Sequence, residues 1–327
     1  MVRILFAASP AIAVPSLGAL SEMELEGGAL AIAGILTNPD RCRKHGYDEP
    51  TDVSAAALAL DPLRKGRGLP PIPQLKPEKL DGQAREEVSA LAPDLLVSFA
   101  YGRIFGPRFL DLFPMGGINI HPSLLPRYRG ATPIQAAILA RERETGICIQ
   151  KISLGMDEGD ILAQEIFGLT GRETAVSLSC AVGDRAAAML RKILADFAAA
   201  LAAAQPQQGQ ASYCRQIRKE EGIIDWGKSA AEIDAQIRAY TPWPLSVTNL
   251  GKDALVILEA QALAPQTERA AVGTVLGTDK EKGILIQTGD GVLAVSRLQW
   301  QAKKPLDWKA FCNGARGFIG AVLGKPQ

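Results

Sequence analysis

The residues of this chain that join reactive type to informative spacing lie between positions 117 and 160. Gly117-Ile-Asn119-Ile-His121 runs into Pro122-Ser123-Leu124-Leu125-Pro126-Arg127-Tyr128-Arg129-Gly130, and Gly155-Met156-Asp157-Glu158-Gly159-Asp160 follows later. Residues two apart on a strand point to the same side. With 117–120 read as a strand, Asn119 and His121 project together from its carboxyl end, where open α/β sheets bind ligands. Pro122 biases His121 towards extended backbone and keeps the pair aligned. An amide donor, an imidazole and a carboxylate from the pair Asp157 and Asp160 can hold a developing oxyanion and move a proton, and the carboxylate is expected to raise the imidazole pKa. The set has no nucleophile of its own, which suits direct acyl transfer between two bound substrates. Each residue also has a plainer reading. His121 can be a satisfied structural histidine, Asn119 can bond neighbouring backbone, and Asp157 to Asp160 can be a solvated turn. The loop 123–126 is expected to be exposed, its Leu124 and Leu125 lining a pocket; the competing reading tucks both leucines into the core.

The elements that must position these groups alternate. Apolar runs at 2–8, 29–36, 94–99, 117–120, 146–152 and 161–169 read as strands, with a short one at 69–72 weakened by Pro70, Pro71 and Pro73. Helical stretches fall at 14–23, 53–60, 82–91 and 133–141, and a long alanine-rich one at 174–204. The alternation predicts an α/β domain with a mostly parallel sheet over 1–204. Residues 205–211, almost free of apolar side chains, read as a linker. Over 212–327 a helix at 230–240 precedes five short strands, 245–250, 255–258, 272–276, 284–288 and 292–298, and a helix at 307–318 closes the chain. Turn-rich joins between short strands predict a small OB-like barrel.

Composition sets the limits. The 327 residues carry 36 Lys+Arg against 35 Asp+Glu, which excludes a polyelectrolyte and a uniformly basic surface. From Pro206 onward there are 15 Lys+Arg and 12 Asp+Glu, a weak basic excess and weak support for a polyanionic partner. Two histidines and five scattered cysteines without a C-x-x-C pair argue against a metal site rich in those ligands and for free thiols in a reducing compartment. No long apolar span or signal-peptide core is legible, so a cytoplasmic protein away from membranes is expected. The G-x-G-x-x-G, P-loop and G-x-S-x-G signatures are absent. Of the two histidines, His45 lies in a polar loop and leaves His121 as the one placed for acid/base work.

The segments 119–130 and 155–160, with Ala100-Tyr101-Gly102, resemble the signature of formyltransferases that use 10-formyltetrahydrofolate. In the second half, Lys219-Glu220-Glu221-Gly222-Ile223-Ile224-Asp225-Trp226 and Arg238-Ala-Tyr-Thr-Pro242-Trp243-Pro244 are similar to the branch of that family acting on methionyl-tRNA. The resemblance covers nearly the whole chain. It implies a Rossmann-like N-terminal domain and a C-terminal OB-like, tRNA-binding domain. It also implies Asn119, His121 and Asp157 as catalytic residues, with Asn119 and a protonated His121 stabilising the tetrahedral intermediate. Ser123, Leu124, Leu125 and Pro126 would contact the folate, and 10-formyltetrahydrofolate would be co-substrate with no metal. Initiator methionyl-tRNA would be the partner of a monomeric enzyme of translation initiation.

One departure stands out. The family's loop after Pro-Asp-Arg usually carries many cations that grip the acceptor stem. Here Arg41, Arg43 and Lys44 are followed by an acidic stretch over 47–52. Phosphate affinity comes from cations that release counterions, so this loop is expected to grip weakly. Arg215, Arg218, Lys219, Lys303 and Lys304, with Lys65 and Arg67, are the candidates to compensate. The rival readings are a formyltransferase acting on a nucleotide-linked amino sugar, which the acidic loop favours, and a folate- or tRNA-binding protein without catalysis, which the intact Asn119, His121 and Asp157 set disfavours.

Overall fold

The computed structural model describes residues 1–42, 48–265 and 270–324. The chain divides into two compact units. The first comprises residues 1–133, 144–167 and 179–214, and the second 134–143, 168–178 and 215–327.

Strands of the first unit follow in chain order: β1 (Val2–Ala8), β2 (Leu30–Leu36), β3 (Arg41–Cys42), β4 (Asp48–Glu49), β5 (Gln74–Leu75), β6 (Leu95–Phe99), β7 (Gly117–His121), β8 (Arg129–Gly130), β9 (Glu144–Lys151), β10 (Ile161–Gly168) and β11 (Tyr213–Cys214). Seven of them form one sheet in the order β10-β9-β7-β6-β1-β2-β5. The pairs β1–β2, β1–β6, β6–β7 and β2–β5 are parallel, while β9 runs antiparallel to β7. Ile4, Leu5, Phe6 and Ala7 are all fully buried, as a strand covered on both faces requires. Leu5, Ala7, Leu36 and Leu96 pack with Val88 and an aromatic ladder of Tyr101, Phe105, Phe109 and Phe113. This is the mostly parallel α/β unit the alternation predicts.

Three local expectations shift. The strand expected at 69–72 forms instead at β5, because Pro70, Pro71 and Pro73 lack the N–H a ladder needs. The helical stretch at 174–204 is two helices, Ala175–Ala195 and Phe197–Ala202. Asp196 leaves helical backbone and its carboxylate accepts from the Ala199 N–H at 3.1 Å, starting the second. The helix expected at 53–60 runs over Asp52–Gly66, started by Thr51 and continuing through Pro62.

The second unit holds β12 (Ser246–Leu250), β13 (Asp253–Leu263), β14 (Val275–Asp279), β15 (Gly283–Gln287), β16 (Val292–Trp300) and β17 (Leu306–Asp307). They form an antiparallel sheet in the order β12-β13-β16-β15-β14, with β17 on β16. Breaks in register on β13 and β14 bend it. The C-terminal segment joins the two edges. Gly324 exchanges backbone hydrogen bonds with Asn249 on edge strand β12, at 2.9 Å each way, while Leu323 and Ala321 bond Gly273 and Val275 at the opposite edge. Pairing both edges removes the exposed ladders of an open sheet, and the result is the expected small barrel. Its core gathers Ile224, Trp226, Ile233, Ile237, Leu255, Ile257, Ile284, Leu293, Val295 and Phe311. The closing helix is shorter than expected, Trp308–Gly314. No helix among the described residues is long and apolar enough to cross a membrane.

Candidate active site

β7 carries the site. In its antiparallel register with β9, Asn119 faces Gln150 and His121 faces Cys148. Period-two geometry puts Asn119 and His121 on one side, and both reach Asp157. Asn119 Nδ2 donates to Asp157 Oδ1 at 3.2 Å, and His121 Nδ1 lies 3.5 Å from Oδ2. Gln150 Nε2 donates to Oδ1 at 3.0 Å and the Gly130 N–H to Oδ2 at 2.8 Å. The carboxylate therefore accepts three hydrogen bonds, two at Oδ1 and one at Oδ2. Asp157 holds this place with φ of 53°, a left-handed backbone that asparagine and aspartate tolerate better than most side chains.

His121 is buried, 3% exposed. Its Nε2 lies 2.8 Å from the Tyr128 carbonyl, so that nitrogen carries the proton and donates. Burial pushes its pKa below the ordinary 6.5; the Asp157 carboxylate and the Tyr128 carbonyl pull upward without cancelling the desolvation. This corrects the expectation of a raised pKa: the carboxylate acts in the predicted direction, but burial outweighs it, and the imidazole rests neutral near pH 7. Both ring nitrogens nevertheless face acceptors, so a proton taken up during reaction meets two partners. Asn119 spends one N–H on Asp157, and the other can be offered to a developing oxyanion.

The loop after His121 departs from its expected exposure. Ser123 is fully buried and its hydroxyl donates to the Arg127 carbonyl at 2.6 Å. Leu125 is buried and its N–H donates to Cys148 Sγ at 3.3 Å. Pro126 is buried too, and only Leu124 is half-buried. Leu124 packs so tightly that a Cβ on Gly146 would lie 2.2 Å from its Cδ2. An apolar pair beside a strand end finds the core before it finds a ligand.

The expected phosphate-binding cations are dispersed. Arg41 is exposed on β3, paired to β4 through Arg41 and Glu49. Arg43 and Lys44, like His45, lie outside the described residues. In the second unit Arg215, Arg218, Lys219, Lys303 and Lys304 are exposed. Arg215 donates to Glu221 Oε1 at 2.7 Å, and Arg218 Nε stands 3.9 Å from the same oxygen. The Arg215 guanidinium holds the Glu221 carboxyl below its usual range. Among the described residues no group of three or more His, Cys, Asp or Glu could hold a metal ion.

Two contributors escape the motif reading. Gln150 is 1% exposed and directly follows the apolar run 146–149 of β9, and an amide there was a legible signal. Gln207 lies in the stretch read as a linker. Residues 205–211 are instead tied into the first unit: Gln205 exchanges backbone hydrogen bonds with Ile161, and β11 just beyond pairs with β8.

A formyl transferase model matches residues 3–194, and a formyl transferase C-terminal domain model matches residues 216–316. The chain belongs to the formyl transferase family. A methionyl-tRNA formyltransferase of Treponema denticola is 47% identical over 97% of this chain and 98% of its own length. One of Treponema pallidum is 42% identical over 99% and 100% respectively. These full-length relatives favour the methionyl-tRNA branch over the amino-sugar branch, and the protein is a formyl-transferring enzyme. The fold is shared more widely. The N-formyltransferase of Helicobacter canadensis, solved with folinic acid and dTDP-3-aminofucose, superposes with a TM-score of 0.61 at 20% identity, covering 90% of this chain and 98% of that one.

Proposed function

We propose that this formyl transferase moves the formyl group of 10-formyltetrahydrofolate to the α-amino group of initiator methionyl-tRNA, as a cytoplasmic monomer. The observation that carries the reading is the convergence of Asn119 and His121 on the Asp157 carboxylate. The co-substrate supplies an activated formyl carbon, which the α-amine attacks directly. Asn119 offers its second N–H to the formyl oxygen as charge develops there. His121, neutral at rest, accepts the proton that the amine must lose, and Asp157 with the Tyr128 carbonyl stabilises the resulting imidazolium. The proton then returns to the departing nitrogen, giving tetrahydrofolate and formyl-methionyl-tRNA. No enzyme side chain bonds covalently to the formyl group. The residues fit a neutral acyl donor: they supply an amide donor, a buried base and its counter-charge.

Ser123, Leu124, Leu125 and Pro126 are proposed to border the folate through their backbone and the half-buried Leu124 side chain, since Ser123 and Leu125 turn inward. Catalysis is assigned to residues 1–204 with the segment 205–211 that follows, and tRNA binding to 212–327 together with the cations at 41–44. Arg41, Arg43, Lys44, Arg215, Arg218, Lys219, Lys303 and Lys304 are the proposed phosphate contacts. Purified protein given 10-formyltetrahydrofolate and charged initiator tRNA should yield formyl-methionyl-tRNA. Turnover of a nucleotide-linked amino sugar without formylated tRNA would overturn the reading.

A further inference from the structure

We propose that Gln207 is a positioning residue for Asp157, and that residues 205–214 form a strap holding the catalytic carboxylate from two sides. The inference rests on the reading of Asp157 given above.

Gln207 Nε2 stands 2.7 Å from the Asp157 carbonyl, 2.9 Å from the Gly159 carbonyl and 3.1 Å from Gln150 Oε1. Its Oε1 accepts from Arg129 at 2.8 Å (Nη2) and 3.1 Å (Nε). A guanidinium has only donors, so the atom facing Arg129 must be the amide oxygen, and the two N–H bonds must point at the Asp157 turn. One side chain thus fixes the backbone of the Asp157 turn at two carbonyls, those of Asp157 and Gly159, its two shortest contacts. Further along the strap, the Arg129 N–H donates to the Ser212 carbonyl at 2.8 Å, and β11 pairs with β8. That pairing fixes Gly130, whose N–H holds the carboxylate at Oδ2.

The need for such a clamp follows from Asp157 itself. Its left-handed backbone costs some free energy even for aspartate, and hydrogen bonds from outside the turn offset that cost. Gly159 allows the close approach: a Cβ there would lie 1.8 Å from the Lys151 carbonyl.

Two variants of the full-length enzyme test the strap. Gln207→Glu keeps size and the Arg129 contact but turns an oxygen towards the carbonyls. Gln207→Ala removes both contacts. Steady-state formylation of methionyl-tRNA should show kcat down at least about tenfold in each, with KM for both substrates within about threefold. The same substitutions are then made in an Asp157→Asn background. There they should change kcat by less than about twofold, because the carboxylate they position is gone. A Gln207 that serves only general folding would lower kcat by the same factor in both backgrounds, and that result overturns the proposal. So does unchanged kcat in both single variants, with the reading of Asp157 left standing. Full activity of Asp157→Asn alone would overturn that reading, and the strap's role with it. If one single variant does not fold, the other decides.

Discussion

The Asp157 cluster and the exposed cations of the second unit are built on opposite plans. Around Asp157, the carboxylate accepts from Asn119, Gln150 and the Gly130 N–H at 2.8–3.2 Å, and His121 and Gln150 are almost fully buried. Arg215, Arg218, Lys219, Lys303 and Lys304 stand in solvent, with Arg215 and Arg218 sharing one carboxylate. The contrast fits the roles proposed for the two regions. Stabilising a developing charge requires donors preorganised to within tenths of an ångström. Attracting phosphate requires charge, which acts over a Debye length of about 8 Å at physiological salt and tolerates mobile side chains. Substitutions should therefore be severe and local in the first region, and small, additive and salt-dependent in the second.

His121→Ala should give the largest effect, a loss of roughly 10²–10⁴-fold in the chemical step with folate affinity nearly unchanged. Single-turnover kinetics beside folate titration would check it, and near-normal turnover would remove His121 from the mechanism. Asn119→Ala should cost about 10²–10³-fold in kcat, the usual price of losing an oxyanion donor.

Gly130→Ala should cost both stability and rate. A Cβ there would lie 2.3 Å from the Cys214 carbonyl, on a residue with φ of 111°. Forcing the strap from β8 should destabilise by about 1–3 kcal/mol, read as a lower Tm, and should lower kcat too. An unchanged Tm would show that the β8–β11 pairing yields freely.

The pH profile is subtler. Because burial depresses the His121 pKa, the acid limb of kcat/KM should lie below pH 6.5 and leave activity flat through neutrality. Asp157 favours the imidazolium, so in Asp157→Asn the acid limb of the residual activity should move lower still. A move upward would mean that the carboxylate does not act on His121 through charge. The smallest effects belong to Lys303→Ala and Lys304→Ala. Each should weaken tRNA binding modestly and reduce the salt slope by about 1 if it touches a phosphate. An unchanged slope would remove that lysine from the interface.

Much of the site was legible before any coordinates. Asn119 and His121 follow from strand periodicity; the turn at 155–160 offers two carboxylates, Asp157 and Asp160, and the family resemblance singled out Asp157. The burial of Ser123 and Leu125 was not, because a Ser-Leu-Leu-Pro loop reads equally well as pocket lining or as core. The sign of the His121 shift was also out of reach: the carboxylate was visible in the chain, whereas desolvation depends on everything packed around the ring.

What the sequence determined by itself is local chemistry and pattern: apolar runs that must become buried strands, turns that punctuate them, and a histidine, an asparagine and an aspartate on segments able to meet. Only the tertiary structure decided what holds them. Residues 205–211, almost free of apolar side chains, look like solvated linker because their stabilisation comes from hydrogen bonds to partners roughly 50 to 80 residues away. The closing tail of the barrel is silent for the same reason, since Gly324 matters through the edge it completes at Asn249. Hydrophobic burial leaves a periodic trace along the chain; a hydrogen bond between distant polar groups leaves none until folding brings them together.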